Sequence, residues 1–291
     1  LGTDDLRGLG ASQWQAMATE DLRALGESQW VGLEVAQFAA MASSQWLALS
    51  TQNLRYLTAN QWGGVSQETL IVLSTSQWQG LASDDLRGLT ASQWSVVATD
   101  DLRAMLEAQW QSMASDDMKG LVTSQWAAMA TDDLVALSAS QWSVVSTEAL
   151  VALGTAQWAS LASDDLRGLT ASQWASAASD DLNALSATQW SQLGTDDLRG
   201  LGASQWQAMT SEDLVSLNGS QWLSLSTEAL VALSTSQWRS MAVDDLAALQ
   251  ASQWSFIATD DLNALSELQW SLMASDDLRG LTASQWSVVA T

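Results

Sequence analysis

Histidine, cysteine and proline are absent from this 291-residue chain, tyrosine occurs once, phenylalanine twice, and only 10 residues are Lys or Arg. Each absence excludes something. Without cysteine or histidine there is no thiol nucleophile, no imidazole base, no disulfide framework and no zinc set of the usual kind. Against 33 Asp and Glu, the few cations leave a net charge of −23 and a pI near 4.1. That is the wrong sign for gripping a phosphate backbone or an anionic lipid surface, so nucleic acid is not an expected partner. Nor is there a run of about 18 apolar residues, and no membrane span is expected. What is present is 47% apolar residues, enough for a packed core, and 18 tryptophans.

The tryptophans are Trp14, Trp30, Trp46, Trp62, Trp78, Trp94, Trp110, Trp126, Trp142, Trp158, Trp174, Trp190, Trp206, Trp222, Trp238, Trp254, Trp270 and Trp286, always sixteen residues apart. Internal repetition is therefore the first fact about the chain. Eighteen sixteen-residue units cover 288 of the 291 residues without an insertion, so a single continuous array over 1–291 is expected, with no linker. Leu1 at the start and Thr291 at the edge of a further motif are the marks expected of a piece of a longer repeat protein. Residues 1–17 recur at 193–209, and 82–99 at 274–291, as copying among units would leave them.

Each unit divides into two octads of one plan. Position 1 is small or capping, position 2 polar, position 3 Asp or Gln, position 4 large and apolar, position 5 variable, position 6 small, position 7 apolar and position 8 small. One octad carries Leu at position 4 (Leu6, Leu22, Leu54, Leu70 and so on, with Phe38 and Met118 as variants), the other Trp. Apolar anchors at positions 4 and 7 recur with a mean period of 4.0, against 3.6 for an α-helix, so the stripe would drift by roughly 80° per octad. A long helix could not keep one face buried. Strict alternation and β-branched enrichment are missing, which argues against β coils.

Short helices broken once per octad remain. Ser or Thr before an acidic pair, as at Thr3, Thr19 and Ser83, reads as an N-cap with negative charge at the favourable helix end. Thr90 to Gln93 and Thr170 to Gln173 read as capping boxes with Gln at N3. Helices of six or seven residues do not persist alone in water, so stability must come from stacking. The expected fold is all-α: a repeat α-solenoid of eighteen sixteen-residue coils, each made of two very short capped helices, with small residues such as Gly8, Gly88 and Gly120 allowing close approach.

The stretch LTASQWSVV at 89–97 and its copies resemble the short Thr/Gln/Leu octad arrays of giant bacterial surface or secreted adhesin-like proteins. The invariant Trp and the alternating Asp-Asp octads depart from that pattern. The resemblance implies an extracellular or cell-surface, architectural role and supplies no functional residue.

The tryptophan row reads first as core, one bulky anchor per coil. Its rival reading is an exposed aromatic strip that stacks on sugars or a partner filament. All 24 Asp residues fall at positions 2 or 3 of Leu octads, forming 11 Asp-Asp pairs, and are expected to make a solvated acidic stripe whose self-repulsion salt would relieve. Calcium is the one metal they would suit, with Asp84, Asp85, Asp100, Asp101, Asp116 and Asp117 as weak candidates, although six to eight oxygens would have to converge. No other cofactor is expected. Recurring carboxylate pairs without a singular cleft do not read as an enzyme.

Ile71, Val135, Val151, Val215 and Val231 replace Arg at position 5 and are expected to form an apolar outer strip inviting self-association. Tyr56, Phe256 and the Val35–Phe38 stretch break the octad and are candidate lateral contacts. The leading expectation is a structural repeat protein forming the shaft of an extracellular filament, sheath or stalk, its partner being itself. The alternative is an adhesin-like binding module whose repeated face engages carbohydrate or calcium.

Overall fold

The computed structural model describes residues 2–289. Among them every octad forms one helix of four to seven residues, from Thr3–Arg7 to Ala283–Val289, and there is no strand. The chain is an α repeat solenoid. Contacts divide it into two compact units, one ending at Ala152 and the other beginning at Leu153, and the same packing operates inside each.

The helices end where they do because position 7 or 8 returns to extended backbone. Leu73, for example, has φ −63° and ψ 140°, and Ser74, which caps the next helix, has φ −78° and ψ 156°. No described residue needs a positive φ or a cis peptide. The capping boxes expected at Thr90 and Thr170 are formed, with the hydroxyl accepting from the N–H of Gln93 and of Gln173. In the Leu octads the cap lies one residue earlier than expected: Thr3, Thr19 and Ser83 are the first helical residues, and Gly2, Ala18 and Ala82 are the caps. The reason is the position-3 carboxylate. Asp85 accepts the backbone N–H of Ala82 at 2.7 Å, and Asp5 that of Gly2 at 2.8 Å, so the cap residue needs no hydroxyl.

Sixteen residues is the period of the sequence, and the solenoid turn is longer than the sixteen-residue coil expected from it. Within each unit helices pack on those three further along, as Thr235–Ser240 does on Thr259–Ala264 and Ala11–Ala16 on Val35–Ala40. Hydrogen bonds between successive turns span 25 to 31 residues. One turn therefore takes between three and four octads.

Position 4 lines the core of each unit. Trp14 through Trp254 are at most 1% exposed, and the Leu series from Leu6 to Leu262 is similarly enclosed. Tryptophans sixteen residues apart meet inside, with ring centroids 6.2 Å apart for Trp78 and Trp94 and 6.3 Å for Trp158 and Trp174, at tilted angles that aromatic pairs favour. Phe38 belongs to the core as well, stacked on Trp30 at 6.1 Å, which disposes of it as a lateral contact. At the C-terminal end the packing thins, and Trp286 is 42% exposed.

Position 6 is small because it meets position 1 of the octad three earlier. A Cβ added to Gly200 would lie 2.8 Å from both the Ala171 carbonyl oxygen and Trp174 Cβ, and one added to Gly120 would lie 2.5 Å from the Ala91 carbonyl oxygen. Among the described residues no helix is long and apolar enough to cross a membrane.

Candidate functional site

Among the described residues a set of polar contacts recurs instead of gathering in one place. The most regular belongs to the glutamine before each tryptophan. Gln93 is buried, and its Oε1 accepts the N–H of Thr90 at 2.6 Å, capping its own helix. Its Nε2 donates to the carbonyl oxygens of Trp62 at 2.8 Å and Val65 at 2.6 Å, 31 and 28 residues earlier. Gln77, Gln109, Gln125 and Gln141 repeat the bridge in the first unit, and Gln205, Gln221 and Gln237 in the second. One amide thus satisfies orphan groups at the start of one helix and the end of another, a burden that every short helix carries. Capping was legible at this glutamine from its spacing; the bridge was not.

Position 5 supplies a second stitch in the opposite direction. Arg87 Nε donates to the Ser112 carbonyl at 2.8 Å, Arg103 to Ala128 at 2.6 Å and Arg55 to Gly80 at 2.5 Å, each 25 residues later; Arg23 reaches Ala48 likewise. The same guanidinium faces the position-2 aspartate of its own helix, as Arg199 faces Asp196 at 2.8 Å. These ion pairs are exposed and contribute little individually. Ile71, Val135, Val151, Val215 and Val231 are exposed as expected; Val135 with Val151 and Val215 with Val231 occupy successive Leu octads, while Ile71 stands between Arg55 and Arg87.

In every pair from Asp84–Asp85 to Asp276–Asp277 the two aspartates have separate environments, whereas Asp4 and Asp5 are both exposed. Asp84, Asp100 and Asp116 point to solvent, with side chains 87–90% exposed, beside Arg87, Arg103 and Lys119. The Lys119 ammonium, hydrogen-bonded to Asp116, holds that carboxyl below its ordinary pKa. Asp85, Asp101 and Asp117 turn inward and are buried. Burial pushes their pKa values up, against opposing hydrogen bonds from the Ala82 N–H to Asp85, the Thr75 hydroxyl to Asp101 and the Ala114 N–H to Asp117. For Asp165 and Asp245 burial carries the pKa to about 6. The calcium candidates are therefore split between two environments, and among the described residues no three acidic groups converge on a point that could hold a metal.

The buried indole N–H groups complete the inventory. Trp62, Trp94 and Trp174 lie close enough to Asp85, Asp117 and Asp197 for the N–H to lower the carboxyl pKa. None of the three indole N–H groups makes a hydrogen bond of ordinary geometry. With its rings enclosed, the tryptophan row offers no stacking face to a sugar except at the C-terminal end.

No protein-family model matches the chain, and no curated protein matches it. Among solved structures it is similar to the leucine-rich repeat-containing protein LegL7 from Legionella pneumophila, at 11% identity over 86% of this chain and 78% of that one, with a TM-score of 0.16. At that score the likeness carries no argument about fold or function.

Proposed function

We propose that this chain is a structural repeat protein, forming the shaft of an extracellular filament, sheath or stalk by stacking of its turns and by self-association. The observation that carries this reading is the glutamine bridge, renewed every sixteen residues, from Gln45 to Gln141 in one unit and from Gln189 to Gln285 in the other. A device repeated in this way serves architecture, whereas catalysis needs one singular constellation of groups. We do not assign the chain an enzymatic role. Its extracellular or cell-surface placement rests on the resemblance of its octads to adhesin-like arrays.

The second reading, a binding module whose repeated face engages calcium or carbohydrate, draws on the outward row of Asp84, Asp100 and Asp116. Electron microscopy of the purified chain at high concentration separates the two. Filaments or ordered bundles are the expected result. Discrete particles at every concentration, together with saturable calcium or glycan binding in calorimetry, would overturn the first reading in favour of the second.

A further inference from the structure

Position 3 is an amide in the Trp octads and, with few exceptions, a carboxyl in the Leu octads, yet the two are placed alike. Both are buried and both accept the N–H of the cap residue, as Gln93 does from Thr90 and Asp85 from Ala82. An ionised carboxyl lacks the second half of the glutamine's work, because it has no donor.

Asn53 is the chain's own control. It is one of two buried position-3 amides in the Leu octads; the other, Gln37 before Phe38, caps its own helix through the N–H of Glu34, whereas Asn53 also reaches the turn before. Its Oδ1 accepts the N–H of Ser50 at 3.2 Å, and its Nδ2 donates to the carbonyl of Arg23, thirty residues earlier, at 3.1 Å. Glutamines use the same register, Gln61 reaching Val31 and Gln189 reaching Ala159, each at 3.3 Å. The carbonyl thirty residues back is thus within reach of position 3 in a Leu octad. An ionised aspartate at that position has no donor to offer it.

We propose that the inward aspartates form an acid-responsive set of inter-turn stitches. On taking a proton from solvent, the carboxyl O–H of Asp85, Asp117, Asp133, Asp197 or Asp245 donates to the carbonyl of Arg55, Arg87, Arg103, Arg167 or Val215 respectively, as the Asn53 amide does to Arg23. The turns are then bridged from both kinds of octad instead of one.

The groups around these carboxyls set the direction of the response. Asp85 faces Asp84 on its own helix, and Arg55 and the Trp62 indole across the turn. Asp117 faces Asp116, Arg87 and Trp94; Asp133 faces Asp132, Arg103 and Trp110; Asp197 faces Asp196, Arg167 and Trp174; Asp245 faces Asp244 and Trp222. The cations and N–H groups favour the ionised form, but burial outweighs them, and the neighbouring acid works with burial. The folded carboxyls therefore lie above the ordinary value of 3.8, at about 6 for Asp245. Between those limits the folded chain holds protons that the unfolded chain has released. The resulting stability is complete below the unfolded value and is lost as pH rises through the folded one.

The test is thermal unfolding of the full chain between about pH 4 and about pH 8, comparing two triple variants of equal net charge. Asp85→Asn/Asp117→Asn/Asp133→Asn places amides inward; Asp84→Asn/Asp116→Asn/Asp132→Asn removes the same charge outside. The unchanged chain is expected to gain several degrees in melting temperature on acidification. The inward variant should melt higher than it at neutral pH and show a flatter profile, while the outward variant keeps the slope. Equal flattening in both variants, or an unchanged slope in the inward one, overturns the proposal. Should the inward variant not fold, carboxyl-carbon NMR of the unsubstituted protein reads the same point. A subset of aspartates titrating above the ordinary carboxylate value, Asp245 at about 6 among them, with lost amide exchange across the turns is expected, and a single titration at the ordinary value overturns it.

Discussion

Gln93 joins two helices that lie 31 residues apart in sequence, its Oε1 on the N–H of Thr90 and its Nε2 on the carbonyl of Trp62 at 2.8 Å. The two halves of that amide can be removed separately. Gln93→Glu keeps an acceptor for the cap and loses the donor, while Gln93→Leu loses both and leaves the Trp62 and Val65 carbonyls without their bridge. Each buried group left unpaired costs about 1–3 kcal/mol. Both variants are expected to weaken amide protection around Trp62 and Val65, and Leu should also weaken it at Thr90. Because repeat arrays unfold unit by unit, hydrogen exchange resolves this better than one global melt. Unchanged protection at Val65 in both variants would show that the bridge contributes nothing.

The two ends of that bridge were unequally visible from sequence. Thr90 and Gln93 stand three apart in an S/T-x-x-Q pattern, so the cap could be read, and so could Trp as the enclosed anchor. The acceptors could not, because the sequence repeats every two octads while the turn takes between three and four. A contact three octads away joins a Leu octad to a Trp octad, as Arg87 joins Ser112; one four octads away joins like to like, as Gln93 joins Trp62. The sixteen-residue period averages over both and hides the turn. The inward and outward aspartates were indistinguishable for a related reason: Asp84 and Asp85 differ only in where a four-residue helix begins, and the hydroxyl of Ser83 drew the cap one residue too late.

Close approach of backbones at position 6 gives a steric prediction. Gly200→Ala puts a methyl carbon 2.8 Å from the Ala171 carbonyl and from Trp174 Cβ, and is expected to destabilise the second unit by roughly 1–3 kcal/mol through overpacking. Gly154→Ala is the control: there a Cβ would meet only Gln157 Oε1, at 4.0 Å. That change is expected to be neutral or to stabilise by about 0.4–1 kcal/mol, since it restricts the unfolded chain. Urea unfolding of both variants checks the pair, and equal effects would refute the account of position 6.

Arg87 combines a bond to the Ser112 carbonyl with an exposed pair to Asp84 at 3.4 Å. Ile71 and Val231 occupy the equivalent position without either. Arg87→Val is therefore expected to lower stability by no more than about 1 kcal/mol, and the loss should be largely insensitive to salt. A large loss abolished by salt would instead assign the main role to the ion pair with Asp84.

The tryptophans report on their own enclosure. Sixteen of them, from Trp14 to Trp254, are at most 1% exposed, whereas Trp286 is 42% exposed and Trp270 only partly covered. Emission of the intact chain is therefore expected to be blue-shifted, with a small fraction open to iodide or acrylamide. Trp286→Phe should remove much of that accessible fraction and leave the main band unmoved. Trp94→Phe, in the core beside Trp78 at 6.2 Å between ring centroids, should leave the accessible fraction alone and lower stability. The smaller ring fills less of the space and loses contacts at van der Waals distance, a change of the kind that costs a few kcal/mol when a large core side chain is truncated. A spectrum like that of free indole, quenched throughout, would contradict the buried row on which the packing of the repeats is built.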